Sequence, residues 1–230
     1  ISRSLVGSEM CIRDSNDTTS GETLAFSGSG TVSSANVQNN QSITLGSIAI
    51  ADGSGGGLAS NYNLTTGTFD ISQKWVSVGG QKIYDATTTV SSSDLNVTGE
   101  VVGESISITG TGSVTDKNVG SGKTIDISGL SLSDGSHSAS NYTIGTTSFA
   151  ITRRNLSISG EKVYDGTGTV LASQIDTVNT AGGETLTISG EGSVSLPSVG
   201  TNKSITLNTL GISNGTNGTI GLASNYTLDS

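Results

Sequence analysis

Very few residues of this chain have side chains suited to chemistry. It holds one cysteine, Cys11, and one histidine, His137, in 230 residues. A thiolate or imidazole metal site needs several such ligands at set spacings. His137 stands alone in a turn close to Asp134 and reads as a solvated loop side chain. A hydrolase triad would need the same histidine, and no serine sits in a Gly-x-Ser-x-Gly elbow. Two carboxylates, Asp85 and Asp165, invite comparison with a glycosidase acid and base. They occupy the same place in two copies of one sequence pattern, which points to a turn-stabilising role instead. Glu22, Glu104 and Glu184 recur in the same way and are expected at the start of a strand. Calcium is the one ion with candidate ligands, Asp116, Asp134 and Asp165, but no Asp-x-Asp-x-Asp-Gly loop is present. The glycine run GSGGGL at 53–58 lacks the lysine of a phosphate loop and reads as a turn. Asn-x-Ser/Thr sequons occur at Asn63, Asn96, Asn141, Asn155, Asn202 and Asn225, as a chain this rich in Asn and Thr produces by chance. No cofactor is implied.

What these residues share is repetition, the first property to seek in a sequence. Ala-Ser-Asn-Tyr begins at 59, 139 and 223, at spacings of 80 and 84 residues. GGQKIYDATTTV (79–90) answers to SGEKVYDGTGTV (159–170). GETLAFSGSGTV (21–32), GESISITGTGSV (103–114) and GETLTISGEGSV (183–194) form a third set. NVQNNQSITL (36–45), NVGSGKTIDI (118–127) and SVGTNKSITL (198–207) form a fourth. All five tyrosines fall in repeated places: Tyr62, Tyr142 and Tyr226 in one, Tyr84 and Tyr164 in the other. With Asp85 and Asp165 these are the motif residues, and their expected role is structural. Trp75 has no counterpart, since Asn155 takes its place, and reads as a surface residue beside a strand.

The pattern divides the chain into 16–73, a partial unit, 74–152, a complete one, and 153–230, which lacks the final strand TTSFAIT of 146–152. Further units are expected on both sides in the natural protein, and 74–152 is expected to fold alone. Nothing in 1–15 matches the repeat. LVGSEMCIRDS, residues 5–15, resembles the in-frame translation of a transposase adaptor used to prepare DNA for sequencing. The segment 1–15, with Met10 and Cys11, is therefore expected not to belong to the natural protein.

Around the motifs lie short runs with apolar residues two apart, such as Ile106 and Ile108, or Leu186 and Ile188. That is the period of a half-buried strand. The parity then switches, from Ile125 and Ile127 to Leu130 and Leu132. A bulge or tight turn at Ser128-Gly129 would keep both pairs facing inward. No stretch has a helical period. The fold class is all-β, as tandem immunoglobulin-like β-sandwich modules of about 80 residues, with a parallel β-solenoid as the alternative. A Tyr following a turn at the start of a late strand resembles the tyrosine corner of such sandwiches, whose hydroxyl bonds to nearby backbone. The expected core of the middle unit is Val76, Val78, Ile83, Leu95, Val97, Ile106, Ile108, Ile125, Ile127, Leu130, Leu132, Tyr142, Ile144, Phe149 and Ile151.

Lys-x-Tyr-Asp-Gly early in a unit, Lys-Asn-Val-Gly-x-Gly-Lys in its middle and Asn-Tyr-Thr near its end resemble the YDG repeat family. Here they read KIYDA (82–86) and KVYDG (162–166), KNVGSGK (117–123), and SNYT at 140–143 and 224–227. Ala86 in place of Gly, and SVGTNK (198–203) for the central motif, are departures. The resemblance implies large secreted bacterial surface proteins, similar to filamentous-haemagglutinin-like adhesins and two-partner-secretion exoproteins.

Net charge of −9 without a basic stripe speaks against nucleic acid, and no apolar run is long enough to span a membrane. The function expected is a non-catalytic structural and adhesive stalk on a bacterial cell surface. Its partners would be host or neighbouring-cell surface molecules or glycans, or further copies of itself. The alternative is a set of carbohydrate-binding accessory modules of an extracellular enzyme, for which this chain offers essentially Trp75 alone. Ice binding would need a Thr lattice longer than Thr87–Thr89.

Overall fold

The computed structural model describes residues 21–228. Cys11, Met10 and the whole of 1–15 lie outside them. The described chain is all-β: about half of the residues are in strands, no helix reaches seven residues, and no sheet closes into a barrel. Val, Ile and Thr between glycine- and serine-rich turns favour this outcome, because branched side chains suit a pleated, half-buried surface.

The same pairings recur from repeat to repeat. In the first, Leu24–Ser27 pairs antiparallel with Ala49–Asp52, in the register Leu24 to Asp52. In the third, Glu184–Ser189 pairs with Gly211–Asn214, in the register Leu186 to Asn214. The middle repeat has a four-stranded sheet in the order Gly120–Lys123, Tyr142–Thr152, Lys74–Ile83, Leu95–Thr98. The third has the matching order Tyr226–Leu228, Arg154–Gly160, Ile175–Val178. Its first and last strands run parallel, Arg154 opposite Tyr226 and Leu156 opposite Leu228. In the third repeat, Val170, Ile175 and Leu210 form a buried cluster against which Ile158, Ile188, Val194, Ile205 and Leu228 pack. Strands of all three sheets of that repeat thus share one core.

The parity switch is a tight turn, and it occurs three times. Leu130 N–H donates to Ile127 C=O at 2.9 Å, Leu210 to Leu207 at 2.7 Å and Ile48 to Leu45 at 2.8 Å. Ile125 and Leu130 both end up buried. A second recurring device is a glycine facing that turn, inside strand Ile106–Val114 in the middle repeat and just past the end of Leu24–Ser27 and Glu184–Ser189 in the others. Gly28, Gly110 and Gly190 have φ of 87°, 93° and 90°. A Cβ on them would sit 2.0, 2.2 and 2.1 Å from the carbonyl oxygens of Ser47, Gly129 and Thr209. Only glycine allows that backbone approach.

One expected core residue is misplaced. Ile83 is exposed, while Val76, Val78, Lys82 and Tyr84 are buried. The even residues of Lys74–Ile83 face inward, so Ile83 must face out. Val90 and Val114 are buried and were not foreseen. Trp75 is exposed, with its ring against the backbone of Gly145.

Contacts divide the chain into two compact units that do not follow the repeat boundaries. Of the described residues, one holds those up to Ser77 with Val97–Ser107 and Leu132–Gly145; the other holds Val78–Asn96, Ile108–Ser131 and those from Thr146 on.

Candidate functional site: a tyrosine–glutamate junction

Each Ala-Ser-Asn-Tyr stretch is a 3-10 turn, Ala59–Asn61, Ala139–Asn141 or Ala223–Asn225. In all three the following Tyr N–H returns to the Ala C=O and the Tyr backbone is extended. The turn is held from upstream by a carboxylate or amide. Asp52 Oδ1 accepts from Ala59 N–H at 2.7 Å, Asp134 Oδ1 from Ala139 at 2.7 Å and Asn214 Oδ1 from Ala223 at 2.9 Å. These are the Asp-Gly and Asn-Gly turns of the sequence. Ordering by one side-chain acceptor explains why so short a stretch holds its shape.

The turn sends the tyrosine hydroxyl to the recurring glutamate. Tyr62 donates to Glu22 Oε2 at 2.7 Å, Tyr142 to Glu104, and Tyr226 to Glu184 Oε2 at 2.8 Å. The hydroxyls of Tyr142 and Tyr226 also accept backbone N–H groups, from Val101 at 3.2 Å and from Ala181 at 3.1 Å. This arrangement differs from a tyrosine corner that closes on nearby backbone: the partners are distant in sequence, and the main one is a carboxylate. The sequence placed Glu22, Glu104 and Glu184 at strand starts without pairing them. Their common recurrence with Ala-Ser-Asn-Tyr was the signal that could have done so.

The third pair is far more enclosed than the second. The Glu184 side chain is 1% exposed and the Glu104 side chain 23%. The difference comes from the middle repeat. Tyr84, of the Tyr-Asp motif, is fully buried and donates to Glu184 Oε1 at 2.7 Å. Lys117, of the Lys-Asn-Val-Gly motif, reaches the same oxygen at 2.8 Å. The Tyr84 and Tyr226 rings meet edge to face, 5.4 Å apart at 81°, a favoured aromatic geometry. Glu184 thus accepts three charge-assisted or phenolic hydrogen bonds, which is what makes a buried carboxylate tolerable. Burial disfavours its charge, but the hydrogen bonds from Lys117, Tyr84 and Tyr226 prevail and hold its pKa below the ordinary value. Burial and the glutamate push the Tyr84 and Tyr226 hydroxyls up. Glu184, in turn, raises Lys117.

Beside this cluster the Ala-Ser-Asn-Tyr asparagine clasps the preceding repeat. Asn225 Oδ1 accepts from Val119 N–H at 2.9 Å, and its amide donates to Asn118 Oδ1 at 2.8 Å. One repeat earlier, Asn141 does the same to Val37 N–H at 2.8 Å and to Asn36 Oδ1 at 2.9 Å. The residue between repeats joins in: Gln73 Nε2 donates to Ser140 C=O at 3.1 Å, and Arg153 Nε to Ser224 C=O at 3.2 Å. The first set lies within one compact unit and the second within the other. Each unit is organised around a joint between repeats.

A model of the YDG domain family matches residues 73–149 and 152–230. The chain belongs to the YDG domain family. Comparison with curated proteins and with solved structures found no match. The junction gives the YDG motifs their physical content. The tyrosine buries against the next repeat, as Tyr84 shows. The aspartate serves its own loop: Asp85 Oδ1 accepts from Thr87 N–H at 2.9 Å and pairs with Lys82 at 2.8 Å. Lys82 Nζ also reaches Thr87 C=O at 3.0 Å and Thr89 C=O at 2.6 Å. Lys162, Asp165 and Thr167 form the same cage in the second YDG copy. Lys162 and the Thr167 amide hold Asp165 down to about 2. For Asp85, burial opposes the charge, and Lys82 with Thr87 lowers it. The glycine of the motif is a conformational requirement. Gly166 has φ 78°, and Ala86 in the same place is forced to 65°.

The remaining sequence candidates do not converge. Asp116 is taken by Asn118 N–H and Lys123, Asp134 by Ala139, and Asp165 by its lysine cage. His137 is bonded through Nδ1 to Ser136 at 2.9 Å, with Nε2 4.0 Å from Glu104. Among the described residues no three His, Cys, Asp or Glu side chains come together as a metal site would require.

Proposed function

We propose that this chain is a structural and adhesive segment of a large secreted bacterial surface protein, a stalk of immunoglobulin-like sandwich modules without catalysis. The observation that supports it most is the repeated joint, in which Asn141 and Asn225 bond the preceding repeat in the same way, reinforced at the second joint by Tyr84 and Lys117 on Glu184. A chain whose most elaborate polar chemistry lies between repeats is built to hold modules in a fixed sequence. Each module's surface can then make weak contacts to cell-surface molecules, glycans or other copies, and repetition turns these into avidity. The acidic surface leaves nucleic acid out of this reading, and the segment acts outside the membrane. Among the described residues, no helix is long and apolar enough to cross a membrane.

The test compares one copy with many. Beads carrying the chain at high density should be retained on host or bacterial cells, and soluble monomer should not. Tight binding of monomeric chain to one glycan, abolished by Trp75→Ala, would favour carbohydrate-binding accessory modules instead. Retention of neither form would leave spacing as the only role and refute the adhesive part.

A further inference from the structure

The third repeat opens its core at one place where the middle repeat closes it. Strand Ile175–Val178 pairs with Arg154–Gly160, Ile158 opposite Thr177 and Gly160 opposite Ile175. Residues directly opposite share a face, and Ile158 packs on the buried cluster of this repeat. Thr177 therefore faces inward. The same place in the middle repeat is Val97, which packs against the buried Val76, Ile106 and Tyr142. A threonine there exchanges a core methyl for a hydroxyl. The neighbouring position loosens as well: Ile106 is buried, and its counterpart Leu186 is half-buried.

The result is a recess of about 410 Å³ between Ile175–Val178 and Glu184–Ser189. Small-molecule sites usually measure about 300–1,000 Å³. Ile175, Leu186 and Ile188 make an apolar wall, and Thr177 and Thr180 add hydroxyls. Both threonines are half-buried, and neither hydroxyl has a hydrogen-bond partner among the described residues. Their partners must come from whatever fills the recess. Ile175–Val178 is the edge of its sheet, bonded on one side only, so it adds backbone donors and acceptors at the rim. The charged side chains on the wall are two carboxylates, Asp176 and Glu184. Tyr226–Leu228 lies on the other side of Arg154–Gly160, so a further strand beside it would not enter this recess.

An apolar wall with hydroxyl and backbone groups around it suits a molecule with an apolar face and a ring of hydroxyls. We propose that this recess binds one neutral hexose, with the C–H face of the sugar ring against Ile175, Leu186 and Ile188 and its hydroxyls bonded by Thr177 and Thr180. The two carboxylates exclude an acidic sugar, and Trp75 takes no part. That the sugar is the terminal residue of a cell-surface glycan rests on the adhesive reading above.

The test titrates the whole chain with the methyl glycosides of glucose, galactose and mannose at millimolar concentration, followed by NMR. At least one should give saturable shifts in the amides of 175–180 and 184–188, and N-acetylneuraminic acid should give none. Thr177→Val, which installs the residue of the middle repeat, should melt no lower than wild type and bind about tenfold weaker, as loss of a hydrogen bond and of space requires. Thr177→Ser, which keeps the hydroxyl, and Trp75→Ala should bind like wild type. No saturable shift with any hexoside, equal binding by Thr177→Val, shifts located elsewhere, or preference for the acidic sugar would overturn the proposal. Beads of wild-type chain retained on cells in the absence of any hexoside shift would overturn the sugar site and leave adhesion standing. Hexoside binding at the recess without bead retention would uphold the site and refute adhesion alone.

Discussion

At the scale of the residue, Glu184 carries the most. It accepts from the buried hydroxyls of Tyr84 and Tyr226 and from Lys117, so truncation leaves two buried phenols without their carboxylate. Glu184→Ala should cost about 3 kcal/mol in denaturant unfolding. Glu22→Ala, whose site is less enclosed, should cost about 1 kcal/mol. The charge also fixes the pH window. The folded state holds Glu184, Asp85 and Asp165 below their ordinary values of 4.5 and 3.8. Their stabilisation is complete above those values and disappears as pH falls through the folded ones. The raised hydroxyls of Tyr84, Tyr142 and Tyr226 act oppositely, stabilising below their ordinary 10.0 and less above it. The melting temperature should therefore be level from about pH 5 to about pH 9 and drop on either side. Glu184→Gln should flatten the acid limb, and an unchanged limb would show that this carboxylate is not the group responsible. Ala86 offers the reverse experiment. Its φ of 65° favours glycine, so Ala86→Gly should stabilise by up to about 1 kcal/mol, the left-handed strain relieved less the added freedom of the unfolded chain.

At the scale of the element, much of the fold was legible because strands announce themselves by period. The parity switch at Ile127–Leu130 is visible as a shift of apolar residues from odd to even positions, and only a turn can reconcile it with one core. Ile83 shows the limit of that method. It lies beside a buried tyrosine in an apolar-looking stretch, and its outward face follows only from the phase set by Val76 and Val78. Lys82 hides the phase, since a buried lysine reads as a surface residue until its cage of carbonyls and Asp85 is seen. The recurring glycine was legible as repetition, while its reason, a backbone approach, required coordinates. Gly110→Ala should destabilise by about 3 kcal/mol, from positive φ and from overlap with the Gly129 carbonyl. A loss under about 1 kcal/mol in thermal or denaturant unfolding would mean that the strand and the facing turn move apart freely.

At the scale of the whole molecule, the repeats are visible in the sequence and the joints are not. Repetition locates Tyr84, Lys117, Glu184, Asn225 and Tyr226, but nothing in one repeat says that its tyrosine is buried by the next. That information lies in contacts between residues about 100 positions apart, such as Tyr84 and Glu184. In repeat proteins stability is shared between units and the interfaces joining them, and small modules bury little surface alone. The most direct measurement is residue-resolved hydrogen exchange on the wild-type chain and on Glu184→Ala. If the joint couples the repeats, protection should fall on both sides of it, at 117–120 in the middle repeat as well as at 223–228 in the third. Loss confined to the third repeat, with 84 and 117–120 unchanged, would contradict the claim that the joint holds the modules together.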